Sequence, residues 1–302
     1  MPTIVVAGSI NQDIVVRAPR IPVPGESIIG GDLSLVRGGK GANQAVAAAR
    51  LGATTRFLGR VGDDAFGREL LAGLRGNGVE SSGVVVDPGP SGVAIITIDE
   101  AGENAIVVAP GANARCVPED ILAEAMADAD AVLCQLETSI PFVLAAFAAG
   151  RQAGAATVLD AAPASPLGAD VLRWVDLLTL NETEARIVLG LSPDANIAVD
   201  ALAEQLLALG PHTLVLKLGA QGGMAIRGAE RVALPAPFVR VVDTTGAGDA
   251  FTGALAVALA EGAGLADALR FAVHAGSLAC AVLGAQPSMP TRDAVERSLR
   301  AG

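Results

Sequence analysis

The run Asp243-Thr244-Thr245-Gly246-Ala247-Gly248-Asp249-Ala250-Phe251 sets a glycine-rich turn directly before an apolar, helix-patterned segment. Glycines let backbone amides converge, and a helix N-terminus adds positive potential. Gly246, Ala247 and Gly248 could therefore hold a phosphoryl group while its charge develops. Asp249 falls in the first helical turn. A carboxylate there either stabilises the helix end or accepts a proton from a hydroxyl beside the phosphate nest. The Gly-x-Gly-Asp turn is tighter than a plain cap requires, which favours the second reading. Two common nucleotide motifs are excluded. Phe251 stands where a dinucleotide fingerprint needs its third glycine, and the turn comes late in the chain. The pattern GxxxxGK[ST] does not occur.

Two further clusters could bind a polyol. Arg37-Gly38-Gly39-Lys40-Gly41-Ala42-Asn43-Gln44 opens an Ala-rich segment; its glycines allow close backbone approach, and Lys40 and Asn43 offer donors. Gly8-Ser9-Ile10-Asn11-Gln12-Asp13 follows the first apolar run, where ligands collect in a parallel sheet. Asn11 and Asp13 could read hydroxyls there. Each cluster alone could equally be a structural turn.

Elements must carry these residues to one place. Short apolar runs at Ile4–Ala7, Thr55–Leu58, Ala131–Leu136, Thr157–Leu159, Leu177–Leu180 and Thr213–Leu218 read as buried strands. Helical patterns lie between them, at Ala42–Leu51, Phe66–Arg75, Pro118–Ala127, Pro141–Ala153, Thr183–Leu189 and Val199–Leu209. Ala247–Ala260, Leu265–Leu283 and a helix from Thr291 follow. The alternation implies a mainly parallel sheet covered on both faces. Two stretches break the rhythm. Asp13–Val36 holds Ile14-Val15-Val16, a Pro/Gly turn and Ser27-Ile28-Ile29, and Gly92–Val108 reads as a hairpin around Asp99–Gly102. Together they are expected to form a small β-lid, at about residues 13–36 and 92–108, on a single domain spanning residues 1–302.

Composition narrows the partners. The chain has 302 residues, 51% hydrophobic, with a formal net charge of −11. An acidic chain gains nothing from counterion release on nucleic acid, so none is expected. Cys116, Cys134 and Cys280 are scattered without CxxC spacing, and only His212 and His274 occur. No zinc site or disulfide framework follows. The first residues lack a basic region and a signal-length apolar run, and no apolar stretch is long enough for a membrane span. A cytoplasmic protein is expected.

Taken together the motifs are recognisable. From about Ile4 to Pro290 the chain resembles the ribokinase family of carbohydrate kinases, in the phosphofructokinase-B superfamily. Thr245–Asp249 matches the C-terminal signature and Gly38–Asn43 the N-terminal one. Gly8–Asp13, Pro24-Gly25-Glu26 and Gly284–Ser288 favour ribokinase proper. The resemblance implies a three-layer α/β/α sandwich with a β-lid, and ATP-dependent phosphorylation of ribose at its 5-hydroxyl. Kinases of 2-deoxyribose, fructose or adenosine on the same fold are the alternatives. A catalytically idle sugar sensor would not need both the Gly246–Asp249 turn and the NxxE element at Asn181–Glu184.

By the same resemblance ribose is held by Asn11, Asp13, Gly38, Gly39, Lys40, Asn43 and Glu137. Ala94 and Ile106 supply apolar contacts, and Asp249 is the base. Asn181 and Glu184 form an NxxE element, Asn181 facing the ATP phosphates and Glu184 helping to position Mg²⁺. Lys217, Gly219 and Gly222 belong to an ATP-binding loop, beside Gly248. A potassium ion is implied between Asp243, Thr245, Ala279, Val282, Gly284 and Ser288, mostly through carbonyls. A homodimer through paired lids is implied as well. Lys217 and Val273 depart from commoner family residues, and His274 points away from Val273's direction along a helix.

Overall fold

The computed structural model describes residues 1–301. Its main sheet has ten strands. From one edge the order is Glu230–Leu234, Gly223–Arg227, Thr213–Lys217, Leu177–Asn181, Ala156–Asp160, Ala131–Cys134, Thr3–Ala7 and Thr54–Gly62. Val79–Glu80 and Val84–Asp87 both pair with Thr54–Gly62. Pairing is parallel except at the first edge, where Gly223–Arg227 and Glu230–Leu234 form an antiparallel hairpin.

Successive side chains on a strand point to opposite faces, and the core divides accordingly. Ile4, Val6, Leu133 and Val215 join one cluster with Val46 of helix Lys40–Arg50, Leu255 of helix Ala247–Ala260 and Leu269 of helix Leu265–Ala279. Val5, Ala7, Cys134 and Leu216 join the other, with Phe142 and Phe147 of helix Ile140–Ala153 and Leu206 of helix Val199–Ala208. Helices thus cover both faces, giving three layers. Helices Lys40–Arg50 and Ala247–Ala260 touch at small residues. A Cβ added to Gly253 would lie 2.8 Å from Ala47 Cβ and 3.0 Å from the Gln44 carbonyl. That close approach brings Asn43 and Gln44 against Asp249.

The second sheet is separate, ordered Leu33–Gly38, Asn11–Arg17, Gly92–Ile98, Asn104–Ala109. Its central pair is parallel and its outer pairs antiparallel. Register places Asn11, Asp13, Ala94, Ile106 and Val108 on one face. Gln12, Ile14, Val16, Val93, Ile95 and Val107 lie on the other.

Several expectations need correction. Pro118–Ala127 is not one helix. It breaks into Pro118–Asp120 and Ala123–Met126, because buried Asp120 accepts from Arg60 and from the Val117 amide and the chain turns extended at Ile121. The helix expected to reach Leu283 ends at Ala279, where the Cys280 carbonyl accepts the amides of Val242 and Asp243 instead. The strand expected to reach Leu136 ends at Cys134; the Leu136 amide turns to the Ala162 carbonyl. Ser27-Ile28-Ile29 joins no ladder, and Leu33–Gly38 takes that place. Among the described residues no helix is long and apolar enough to cross a membrane.

Candidate active site

Asp249 sits in the first turn of helix Ala247–Ala260, behind an N-cap glycine in the left-handed region, Gly246 at φ 77°. A side chain at 246 would be strained and would meet Met289 Cε at 2.9 Å and Ala285 Cα at 3.1 Å. First-turn amides have no intrahelical acceptor, so those of Gly248 and Asp249 are available to an anion. The Ala247 amide instead closes a turn onto the Thr244 carbonyl at 3.2 Å.

The Asp249 carboxylate is buried and held from helix Lys40–Arg50. Asn43 Nδ2 donates to Oδ2 at 2.9 Å and Gln44 Nε2 to Oδ1 at 2.9 Å. Burial pushes its pKa up to about 6, and the Asp160 carboxylate adds to this, against Lys40 and the two amide donors. Burial also pushes Asp13 up to about 7, with Glu137 and Asp249 adding their charges. Burial works against the Lys40 ammonium. The carboxylates of Asp249, Asp160, Glu137 and Glu184 outweigh it and hold the lysine above its ordinary range.

Around this centre lies a polar cradle. Asn11 and Asp13 are carried by the small sheet, and Lys40 opens the helix behind Gly39. A Cβ at Gly38 would fall 2.2 Å from Asp13 Oδ2, so only glycine leaves that carboxylate its place. The Asn11 side-chain oxygen accepts from Asn113 Nδ2 at 2.7 Å, which fixes its amide. Glu137 lies in the loop after Ala131–Cys134 and accepts the Ser9 hydroxyl and, at 3.0 Å, the Lys40 amide. Ala94 is buried on the same sheet face, and Ile106 stands farther out, half exposed.

On the other side of the glycine turn lies a cleft of about 590 Å³. Lys217, Gly219, Gly222 and Gly248 line it, with Pro237, Phe238, Phe251, Val273 and Ser277. Its walls are largely apolar, as a planar base requires, with lysine and glycine amides at the inner end. Lys217 Nζ donates to Asp160 Oδ1 at 2.7 Å and lies 3.9 Å from Glu184 Oε2. Asn181 and Glu184 form a reciprocal helix cap, Glu184 N to Asn181 Oδ1 at 2.8 Å and Asn181 N to Glu184 Oε2 at 2.7 Å. His274 does not enter the cleft; its ring bonds Ser298 Oγ at 2.8 Å.

The implied cation residues form two adjoining loops. Asp243 accepts from the Thr245 amide and hydroxyl at 2.9 and 2.7 Å, and from the Gly284 amide at 2.8 Å. Burial alone would raise its pKa; these bonds overcome it and keep the group ionised. Ser288 Oγ donates to the Ala285 carbonyl at 2.7 Å, and the Val282 amide to the Ala279 carbonyl at 3.2 Å. Ala285 touches the Gly246 position directly. Asp243 supplies an ionised carboxylate where the two loops meet, the charge a monovalent cation needs. Among the described residues no cluster of three or more His, Cys, Asp or Glu could hold a metal. Glu184, 3.9 Å from Lys217 Nζ, is the kind of single carboxylate that Mg²⁺ takes beside phosphate oxygens and water.

Sequence reasoning missed Gln135, Asp160 and Asn113, and gave Gln44 no role. Gln44 had a signal, since it shares a helix face with Lys40 at a spacing of four. Asp160 ends a parallel strand, as ligand-contacting residues do.

Known proteins resemble this chain over nearly its whole length. The family model described as pfkB family carbohydrate kinase matches residues 1–292. The chain is 42% identical over 302 residues to the ribokinase of Bacillus subtilis (strain 168), covering 99% of this chain and 100% of that one. It is 36% identical to the bifunctional ribokinase/ribose-5-phosphate isomerase A of Fructilactobacillus sanfranciscensis, covering 98% of this chain and 56% of that longer protein. The Arabidopsis thaliana ribokinase complexed with ribose and ATP superposes with a TM-score of 0.90 at 36% identity, covering 99% of each chain. The chain belongs to the pfkB family of carbohydrate kinases, and its relatives there include ribokinases.

Proposed function

We propose that this chain transfers the γ-phosphoryl group of ATP to the 5-hydroxyl of D-ribose, giving ribose 5-phosphate and ADP. One observation carries the reading. A buried carboxylate, Asp249, stands at a glycine turn with a polar cradle on one side and an apolar cleft on the other. In-line transfer needs this order of acceptor, base, anion nest and nucleotide.

Ribose enters against Asn11, Asp13, Gly38, Gly39, Lys40, Asn43 and Glu137, with Ala94 and Ile106 covering its apolar side. Asp249 takes the proton of the 5-hydroxyl as the oxygen attacks. The turn Gly246–Gly248 stabilises charge on the transferring group. Asn181, Lys217, Gly219 and Gly222 orient the nucleotide. Glu184 would help to position Mg²⁺, which would supply positive charge against the phosphates. Potassium bound at the Asp243 and Ser288 loops would order the Gly246 backbone. The small sheet acts as a lid that excludes water, on a single kinase domain spanning 1–302. Its outer apolar face supports a homodimer, and the chain works in the cytoplasm.

The test is product identity. Incubation with MgATP and D-ribose should yield ADP and a phosphomonoester coupled by NMR to the C5 protons. A phosphate on any other carbon overturns the proposed pose, and ADP formation independent of sugar overturns the kinase reading.

A further inference from the structure

We propose that Gln44 is the positioning residue for the base, its side-chain amide clamping the Asp249 and Asp160 carboxylates together and so tying the proton acceptor to the lysine of the nucleotide cleft. The inference rests on the reading of Asp249 as base. A primary amide carries two N–H donors. Gln44 Nε2 uses them on two different carboxylates, Asp249 Oδ1 at 2.9 Å and Asp160 Oδ2 at 2.7 Å. Its oxygen accepts from Gln135 Nε2 at 2.6 Å. The Gln135 bond fixes which way the amide faces, because a flip would set the Gln44 oxygen against both anions. Gln44, Gln135 and Asp160 are all within 1% of complete burial. No rearrangement of surface side chains can replace this bridge.

The chain continues on the far side. Asp160 Oδ1 accepts from Lys217 Nζ at 2.7 Å, and Lys217 lines the cleft beside Gly248. Two buried carboxylates brought together repel one another. Here the shared amide and the lysine offset that repulsion. A phosphate arriving at Lys217 draws the ammonium away from Asp160. The Asp160 charge is then less neutralised, and Asp249 becomes a stronger base when nucleotide is in place. The groups facing Asp249 are Lys40, Asn43 and Gln44 from one helix and Asp160 from the sheet. Asp13 is charge-coupled to it from the small sheet and to Glu137 from the loop beyond. Among these only Gln44 touches both Asp249 and Asp160.

The bridge has two ends with opposite signs. Gln44→Leu removes a hydrogen bond that favours the charged form of Asp249, so the acid limb of the kcat/KM profile for ribose should move up. Asp160→Asn removes a like charge, so the limb should move down. Each shift should be about half a pH unit or more. For Gln44→Leu, kcat at pH 8 should fall by about 10- to 100-fold while the ribose KM changes little, as expected when a reacting group is misplaced. Circular dichroism and thermal melting establish folding, and Asp160→Asn carries the test if Gln44→Leu does not fold. An acid limb unmoved in the folded variants, or moved the same way in both, overturns the proposal. Asp249→Asn, measured in parallel, separates the two readings. An unmoved limb with Asp249→Asn inactive defeats the Gln44 bridge alone. Asp249→Asn retaining wild-type turnover defeats the base assignment beneath it.

Discussion

Asp249 must be ionised to accept a proton, and burial holds its pKa at about 6. The sign follows directly. Below that pH the group is protonated and cannot act, so kcat/KM should fall on the acid side and level off only above about 7, where the coupled Asp13 is ionised as well. A profile flat down to pH 5 contradicts this. Asp249→Asn keeps the shape but removes the acceptor. Turnover should drop by about 10²–10⁴-fold, while ribose binding measured by calorimetry largely survives. Lys40 is the cation among Asp249, Asp160, Glu137 and Glu184. Lys40→Met should therefore move the acid limb upward as well as weaken ribose binding. Asp249, Lys40 and Asn11 were legible because glycine turns mark them within a few residues of sequence. Gln44 and Asp160 were not legible as a pair. They lie 116 positions apart, and the Gln135 bond spans 91; a hydrogen bond between positions so far apart in the chain leaves no local pattern.

Elements position these groups through close contacts. The helix pair Lys40–Arg50 and Ala247–Ala260 meets at Gly253, four residues beyond Asp249. Gly253→Val would push the helices apart and move Asn43 and Gln44 off the base. It should lower stability by about 1–3 kcal/mol, the usual range for overpacking, and depress kcat more than ribose KM. A variant with unchanged melting and turnover would show that the contact is loose. Ala285, beside the Gly284 that bonds Asp243, would meet a side chain at 246 in the same manner. Potassium should raise kcat or lower KM severalfold over sodium at equal ionic strength, and Asp243→Ala should erase the difference. Equal rates in potassium, sodium and a bulky organic cation would remove the ion from the account. Strand–helix alternation made the parallel sheet readable from Ile4 to Lys217. The edge hairpin Gly223–Leu234 escaped, because Met224-Ala225-Ile226 is too short a run to separate from loop. The break at Asp120 escaped because its cause is Arg60, a partner on a distant strand.

At the scale of the whole molecule, alternation along the small sheet decides its faces. Asn11, Asp13 and Ala94 face the cradle; Ile95 and Val107 face away and are 52% and 66% exposed. An exposed apolar sheet invites a partner. A homodimer should sediment at micromolar concentration, and Ile95→Asp with Val107→Asp should give a monomer. A wild-type monomer mass would refute the pairing. Asn11, Asp13, Lys40, Asn43 and Glu137 offer donors and acceptors enough for the hydroxyls of a small furanose, and a site built to bond a hydroxyl rejects the analogue that lacks it. The most direct measurement is coupled ADP release across D-ribose, 2-deoxyribose, fructose and adenosine with saturating MgATP. Ribose should show the highest kcat/KM, well above 2-deoxyribose; adenosine or fructose as the best substrate would contradict it.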